Sequence, residues 1–217
     1  KDTMNKKVKI FGFILIISLF GLLILKSWGE PVSELEKSNI ETLNQNDFSL
    51  ILSSSWKNKK DGKSSEISFY IDGLKNTKGF FKDFDIIFKV AESPLNSNLK
   101  VSINVNSIYT ENEYRDEALM GEEFFNSEIY PVIEFYSNNI IKSKLNHKTI
   151  GELNMMGKGK ELSFPFEFKG MTIDKDNNEV AIFEGAFEID RTDFGMETVT
   201  SVGDEVSIKF YCELYKF

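Results

Sequence analysis

The sequence predicts an all-β protein of antiparallel strands. Two observations carry that prediction. Beyond Trp56, one segment after another alternates apolar with polar residues, and the 217 residues include 20 Phe but only 4 Pro. Period-two alternation puts every second side chain on one face, as a half-buried strand requires. Aromatic rings suit a pleated surface, whereas proline removes a ladder hydrogen bond. The length suits one domain plus an appendage, and a core of that size needs neither disulfide nor metal.

The strands follow in order. Ile67, Phe69 and Ile71 share a face against Ser68, Tyr70 and Asp72. Phe80, Phe84, Ile86 and Phe88 read as a second inner face, and Val101, Ile103 and Val105 as a third. Ile133 and Phe135 oppose Glu134 and Tyr136. Leu162, Phe164, Phe166 and Phe168 oppose Ser163, Pro165 and Glu167, with Pro165 marking an edge or a bulge. Ala181, Phe183, Gly185, Phe187 and Ile189 form another inner face. Val206, Ile208, Phe210, Cys212 and Leu214 close the set.

Turn residues separate these runs at Asp61-Gly62, Asp72-Gly73, Asn138-Asn139 and Gly203-Asp204. Residues 110–125 break the rhythm and read as the one helix inside the domain, with Thr110 as its cap and Glu113 as the capping-box partner. Seven to eight such strands make a barrel or a sandwich. A barrel of eight strands is either filled by its own side chains or holds one slim ligand.

The N-terminal part has a different character. Lys6, Lys7 and Lys9 precede an apolar run from Ile10 to Leu25, interrupted only by Ser18 and two glycines. A basic start followed by an apolar stretch is shared by cleaved signal peptides and uncleaved anchors. Trp28 suits an interfacial position, which favours the anchor. The expected organisation is therefore an anchor over 1–28, a stalk or linker over 29–52, and a β domain over 53–217. Val32, Leu35, Ile40 and Leu43 give the stalk rough helical spacing.

Charge and motifs exclude several functions. A net charge of −8 and a pI near 4.9 lack the basic footprint of nucleic-acid binding. There is no HExxH, CxxC, GxSxG or P-loop. The single Cys212 lies on an apolar strand face and reads as a buried, inert thiol. The single His147 lies in a turn-like stretch and is expected in solvent. No metal site, cofactor or catalytic group is expected, so the protein is not read as an enzyme.

Arginine is the last clue. Among 26 Lys and Arg, Arg occurs only at 115 and 191. A lysine-rich chain that keeps two arginines uses the guanidinium fork, which lysine cannot imitate. Arg115 adjoins Asp116, and Arg191 is followed by Asp193. These groups either clamp the helix and a barrel turn or contact a lipid head group or a partner, and the clamp is the favoured reading.

Five elements then stand in a telling order: Gly79-Phe80-Phe81, the 107–135 block with Arg115-Asp116 and Phe124-Phe125, Gly151 to Gly157, Asp190 to Gly195, and Val202 to Val206. That order, over Trp56 to Phe217, resembles the YceI-like family of secreted bacterial proteins. The resemblance implies a lipocalin-like antiparallel barrel of about eight strands that holds a polyisoprenoid or an isoprenoid quinone. The implied ligand wall is Ile67, Phe69, Ile71, Phe80, Phe84, Phe88, Val101, Ile103, Val105, Phe135, Phe164, Phe166, Phe168, Phe183, Phe187, Ile208 and Phe210. Departures lie near the barrel rims, at Ser64-Ser65 and at Gly157-Lys158-Gly159-Lys160. The expected setting is the periplasmic face of a bacterial inner membrane, reached through a single-pass anchor. The expected partners are an isoprenoid lipid, the membrane and an envelope protein complex.

Overall fold

A computed structural model describes residues 32–38, 47–73, 76–142 and 146–217. The expected anchor over 1–28 lies outside the described residues. Among those described, no helix is long and apolar enough to cross a membrane.

Eleven strand segments are described: β1 (Ser54–Asn58), β2 (Ser65–Gly73), β3 (Thr77–Phe81), β4 (Phe84–Val90), β5 (Asn98–Asn104), β6 (Ile108–Tyr109), β7 (Val132–Lys142), β8 (His147–Met155), β9 (Lys158–Ile173), β10 (Glu179–Asp190) and β11 (Val202–Lys216). One helix, α1 (Glu113–Met120), lies between β6 and β7. The segments form an eight-stranded closed barrel. β1–β2, β3–β4 and β5–β6 are each one strand interrupted midway, every strand pairs antiparallel with the next, and β11 returns to pair with both β1 and β2. Closure pairs the first described strand with the last, so neither is left as a free outer strand.

Alternation is cleanest in β4, where Phe84, Ile86, Phe88 and Val90 are buried and the residues between them exposed. The break between β3 and β4 corrects one expected face. Lys82 and Asp83 leave the ladder to bond with Ser107, so the phase changes across them. Phe81, not Phe80, therefore points inward, and Phe80 stands half-exposed against Tyr109 at 5.3 Å. In a strand, a one-residue slip moves a side chain to the opposite face.

The interior is crowded enough to demand glycine at Gly79. A Cβ there would collide with the Phe69 ring and with Thr110 Cγ2. The ladder between β9 and β10 is shorter than either strand. It runs from Glu179↔Ile173 to Glu184↔Glu167 and stops, while both strands continue. Pro165, which has no N–H to donate, stands just past that stop, so this proline does mark an edge within the wall. Beyond it the seam is held by side chains: Phe164 and Phe187 stack at 4.3 Å.

Each end of the barrel has its own closure. At one end the turn Phe48–Ile51 tucks Phe48 and Ile51 into the core. The domain thus begins before residue 53, inside the stretch expected to be linker. At the other end lie α1 and the turn Arg191–Phe194. The helix is shorter than expected and its cap is Asn112, whose side chain accepts from the Arg115 N–H; Thr110 has another task.

Residues 32–38 have no helical structure. They lie along the outer wall. Leu35 packs against Val180, Ile182 and Tyr211. Ser38 donates its backbone N–H and its hydroxyl to the buried Glu213 carboxylate at 2.7 and 2.8 Å, and Tyr211 donates to the same group at 2.8 Å. Part of the expected stalk is therefore bound to the barrel.

Candidate functional site

The barrel encloses a cavity of about 170 Å³. All eight strands contribute to its wall, and so do Leu119 of α1 and Phe124, Phe125 and Met196 from the segments beside it. Its chemistry is uniform: of the lining side chains, only Arg191 is charged.

Thirteen of the expected wall residues line it: Ile67, Phe69, Ile71, Phe88, Val101, Ile103, Phe135, Phe164, Phe166, Phe183, Phe187, Ile208 and Phe210. Four do not. Phe80 is outside for the reason of phase given above. Phe84 is buried at the β3–β4 break, away from the cavity. Val105 belongs to a turn rather than to β5, and its N–H bonds to the Pro131 carbonyl at 2.9 Å. Phe168 lies below the cavity, edge-on to Phe48 at 5.8 Å.

The contributions of Phe81, Leu119, Phe124, Phe125, Met155 and Met196 were not legible from alternation. Most come from turns and from the helix, where period two does not apply. The paired aromatics Phe124-Phe125 were the one sequence signal, and Phe125 meets Phe81 edge-on at 6.1 Å.

Both arginines make structural bonds. Arg115 donates through Nε to Thr110 Oγ1 at 2.8 Å and through Nη2 to the Thr110 carbonyl at 2.6 Å. Asp116 accepts from the N–H and the hydroxyl of the same threonine at 2.9 and 2.5 Å. The Arg-Asp pair thus fixes a fully buried threonine where the chain leaves β6 for α1.

Arg191 is 1 % exposed and ties the β10–β11 crossing together. It bonds to the carbonyls of Gly203 at 2.8 Å and Glu197 at 2.7 Å, and to Asp204 Oδ1 at 2.8 Å. The expected partner, Asp193, is instead exposed and paired with Lys160 at 3.3 Å. Asp193 stands in the turn that starts with Arg191, whereas Asp204 faces it from β11.

His147 is not in solvent. It is 8 % exposed and lies between Phe48 at 4.1 Å and Phe166 at 5.5 Å, with both rings stacked on it. Burial pushes its pKa below the ordinary value, and nearby Lys142 adds to the effect. Among the described residues its Nδ1 has no partner, and neither do the buried Thr149 Oγ1 and Asn139 Oδ1. Cys212 is buried as expected, and burial pushes its thiol far up. Such a thiol is unreactive at neutral pH.

This barrel is matched by known proteins in sequence and in shape. Residues 59–214 match the model of the YceI-like domain. Protein YceI of Escherichia coli is 30 % identical over 146 residues, which is 66 % of this chain and 76 % of that protein. A solved Campylobacter jejuni YceI protein superposes with a TM-score of 0.59 at 26 % identity, covering 66 % of this chain and 86 % of the other. A polyisoprenoid-binding domain from Saccharophagus degradans shares the fold at a TM-score of 0.56 and 12 % identity, covering 76 % of this chain and 98 % of that domain. With the domain model spanning most of the barrel, and a relative at this identity covered over three quarters of its length, the chain belongs to the YceI-like family.

Proposed function

We propose that this protein is an exported, membrane-tethered barrel that sequesters or carries a polyisoprenoid or an isoprenoid quinone, without catalysing a reaction. The observation that carries the reading is the barrel cavity, apolar apart from one arginine and lined from all eight strands. An isoprenoid tail gains ~0.8 kcal/mol for each CH2 removed from water, so a carrier must wrap it in such a wall. The polyisoprenoid-binding relative of the same fold supports the ligand class. The basic start and apolar run before residue 28 support export and tethering.

A cavity of about 170 Å³ is close to the ~150 Å³ engineered void that takes up one benzene. A longer tail therefore requires the wall to yield. The β9–β10 seam, whose ladder stops at Glu184↔Glu167 while both strands continue, is the place such yielding is proposed.

That small volume also supports a second reading, in which the phenylalanines fill the barrel and the protein is an accessory subunit of an envelope complex. Native mass spectrometry of the full-length protein purified in detergent, with organic extraction of bound material, separates the two. A near-stoichiometric isoprenoid adduct is expected. A bare mass that stays bare after incubation with quinones and polyprenols would overturn the carrier reading.

A further inference from the structure

Phe166 and Phe210 belong to both faces of the barrel wall. They line the inner cavity, and they also line a groove of about 480 Å³ on the outer surface. The apolar lining of the groove includes Leu35, Pro165 and Ala186, and its charged lining Lys37, Glu66 and Lys209. The groove lies across the β9–β10 seam, where the ladder has stopped. Gly185 keeps the seam free of a side chain. A Cβ there would collide with the Phe210 ring and with the Pro165 carbonyl.

The seam is lightly fastened. The last rung sets Glu184 opposite Glu167, and like charges so placed repel. Lys169 bridges the two carboxylates, at 3.0 Å to Glu184 and 3.2 Å to Glu167. It thus holds the end of the ladder. The two ends of the barrel are closed more firmly. Ile51 of the plug turn is fully buried, and Arg191 makes four hydrogen bonds at the helix end.

We propose that the isoprenoid enters and leaves sideways, through the β9–β10 seam, and that the outer groove is a second binding site that holds part of the chain. The inference rests on the carrier reading and adds to it a route and a site. A cavity of about 170 Å³ takes a short part of a polyisoprenoid, and the groove gives a further part an apolar strip to lie on. Swinging the Phe166 and Phe210 rings aside joins the two spaces, at a place where no ladder pair has to break. The bilayer is the source of the chain. Trp28, expected at a membrane interface, precedes Leu35 by seven residues, which reach at most about 25 Å.

The test measures exchange. Full-length protein in detergent is loaded with a polyprenol and mixed with an excess of the deuterated polyprenol, and the mass of the complex is followed by native mass spectrometry. Continuing the register beyond Glu184↔Glu167 sets Pro165 opposite Ala186, and both line the groove. A Pro165→Cys/Ala186→Cys protein can therefore be locked across the seam by a disulfide, verified by mass. Oxidation is expected to slow exchange at least about tenfold, and reduction to restore it. A second variant needs no disulfide. Lys169→Met leaves the two glutamates facing each other and is expected to speed exchange about fivefold. Equal exchange in the oxidised and reduced double variant would overturn the inference, place the route at a barrel end and leave the carrier reading standing. Exchange unmoved by Lys169→Met would overturn it too. If the unaltered protein takes up no polyprenol, the carrier reading fails and the route fails with it.

Discussion

At one end of the barrel a single turn, Phe48–Ile51, lays a phenylalanine ring on His147. At the other, α1 and the Arg191 turn are tied down by charge-assisted hydrogen bonds to Thr110, Gly203, Glu197 and Asp204. The first closure is aromatic contact around polar atoms that lack partners among the described residues; the second is a nearly saturated network. Ring contacts tolerate sliding but not a buried charge. Networks of bonds resist sliding and fail when one member is removed. The plug end should therefore answer to pH, and the helix end to substitution.

The largest effect is expected from Arg191→Met. It leaves Asp204 and buried carbonyls without their donor, at a cost of about 4 kcal/mol, read by urea unfolding. Phe48→Ala removes a ring that touches His147, Phe88, Phe166 and Phe168. Its expected cost is about 3 kcal/mol, with faster hydrogen exchange confined to the plug end. If Phe48→Ala costs more than Arg191→Met, the ranking of the two ends is reversed.

Arg115→Ala is expected to cost about 2 kcal/mol, since two charge-assisted bonds to Thr110 are lost. That lowers Tm by about 4–8 °C, while lipid retention stays intact. Unchanged Tm with lost ligand would make Arg115 a ligand contact instead of a clamp.

The smallest effect is the pH response of His147. The charged group that acts on it is Lys142, its register partner on β7; Phe166 faces it from β9. The folded pKa lies below 6.5, so the unfolded chain takes the proton more readily. Stability from the neutral ring is then complete above about pH 6.5 and falls as the pH drops toward the folded pKa, by at most about 1.4 kcal/mol per unit. His147→Phe is expected to flatten Tm between pH 7 and 5. An unchanged slope would assign that dependence to carboxylates.

Much of the barrel was legible because alternation is a local consequence of the strand itself. Phe69, Phe135, Phe166 and Phe183 could be placed on inner faces from their neighbours alone. Alternation carries no information across an interruption, and so Phe80 was taken for Phe81 at the Lys82–Asp83 break. It is equally silent about turns, which is why Val105 was misplaced and Phe125 and Met196 were missed. His147 looked exposed because its sequence neighbours are polar; the ring that buries it, Phe48, comes from a hundred residues earlier in the chain.

The sequence by itself determined the strands, their inner faces, the arginine-centred turns and the family. Those depend on residues close in the chain, on period two and on motif order. Only the tertiary structure decided that β11 closes on β1 and β2, that the β9–β10 ladder stops beside Pro165, and that residues 32–38 lie on the wall. It also decided that Asp204 rather than Asp193 balances Arg191. Each of these is a choice among partners distant in sequence, made by packing and charge across the closed barrel, where local pattern has no reach.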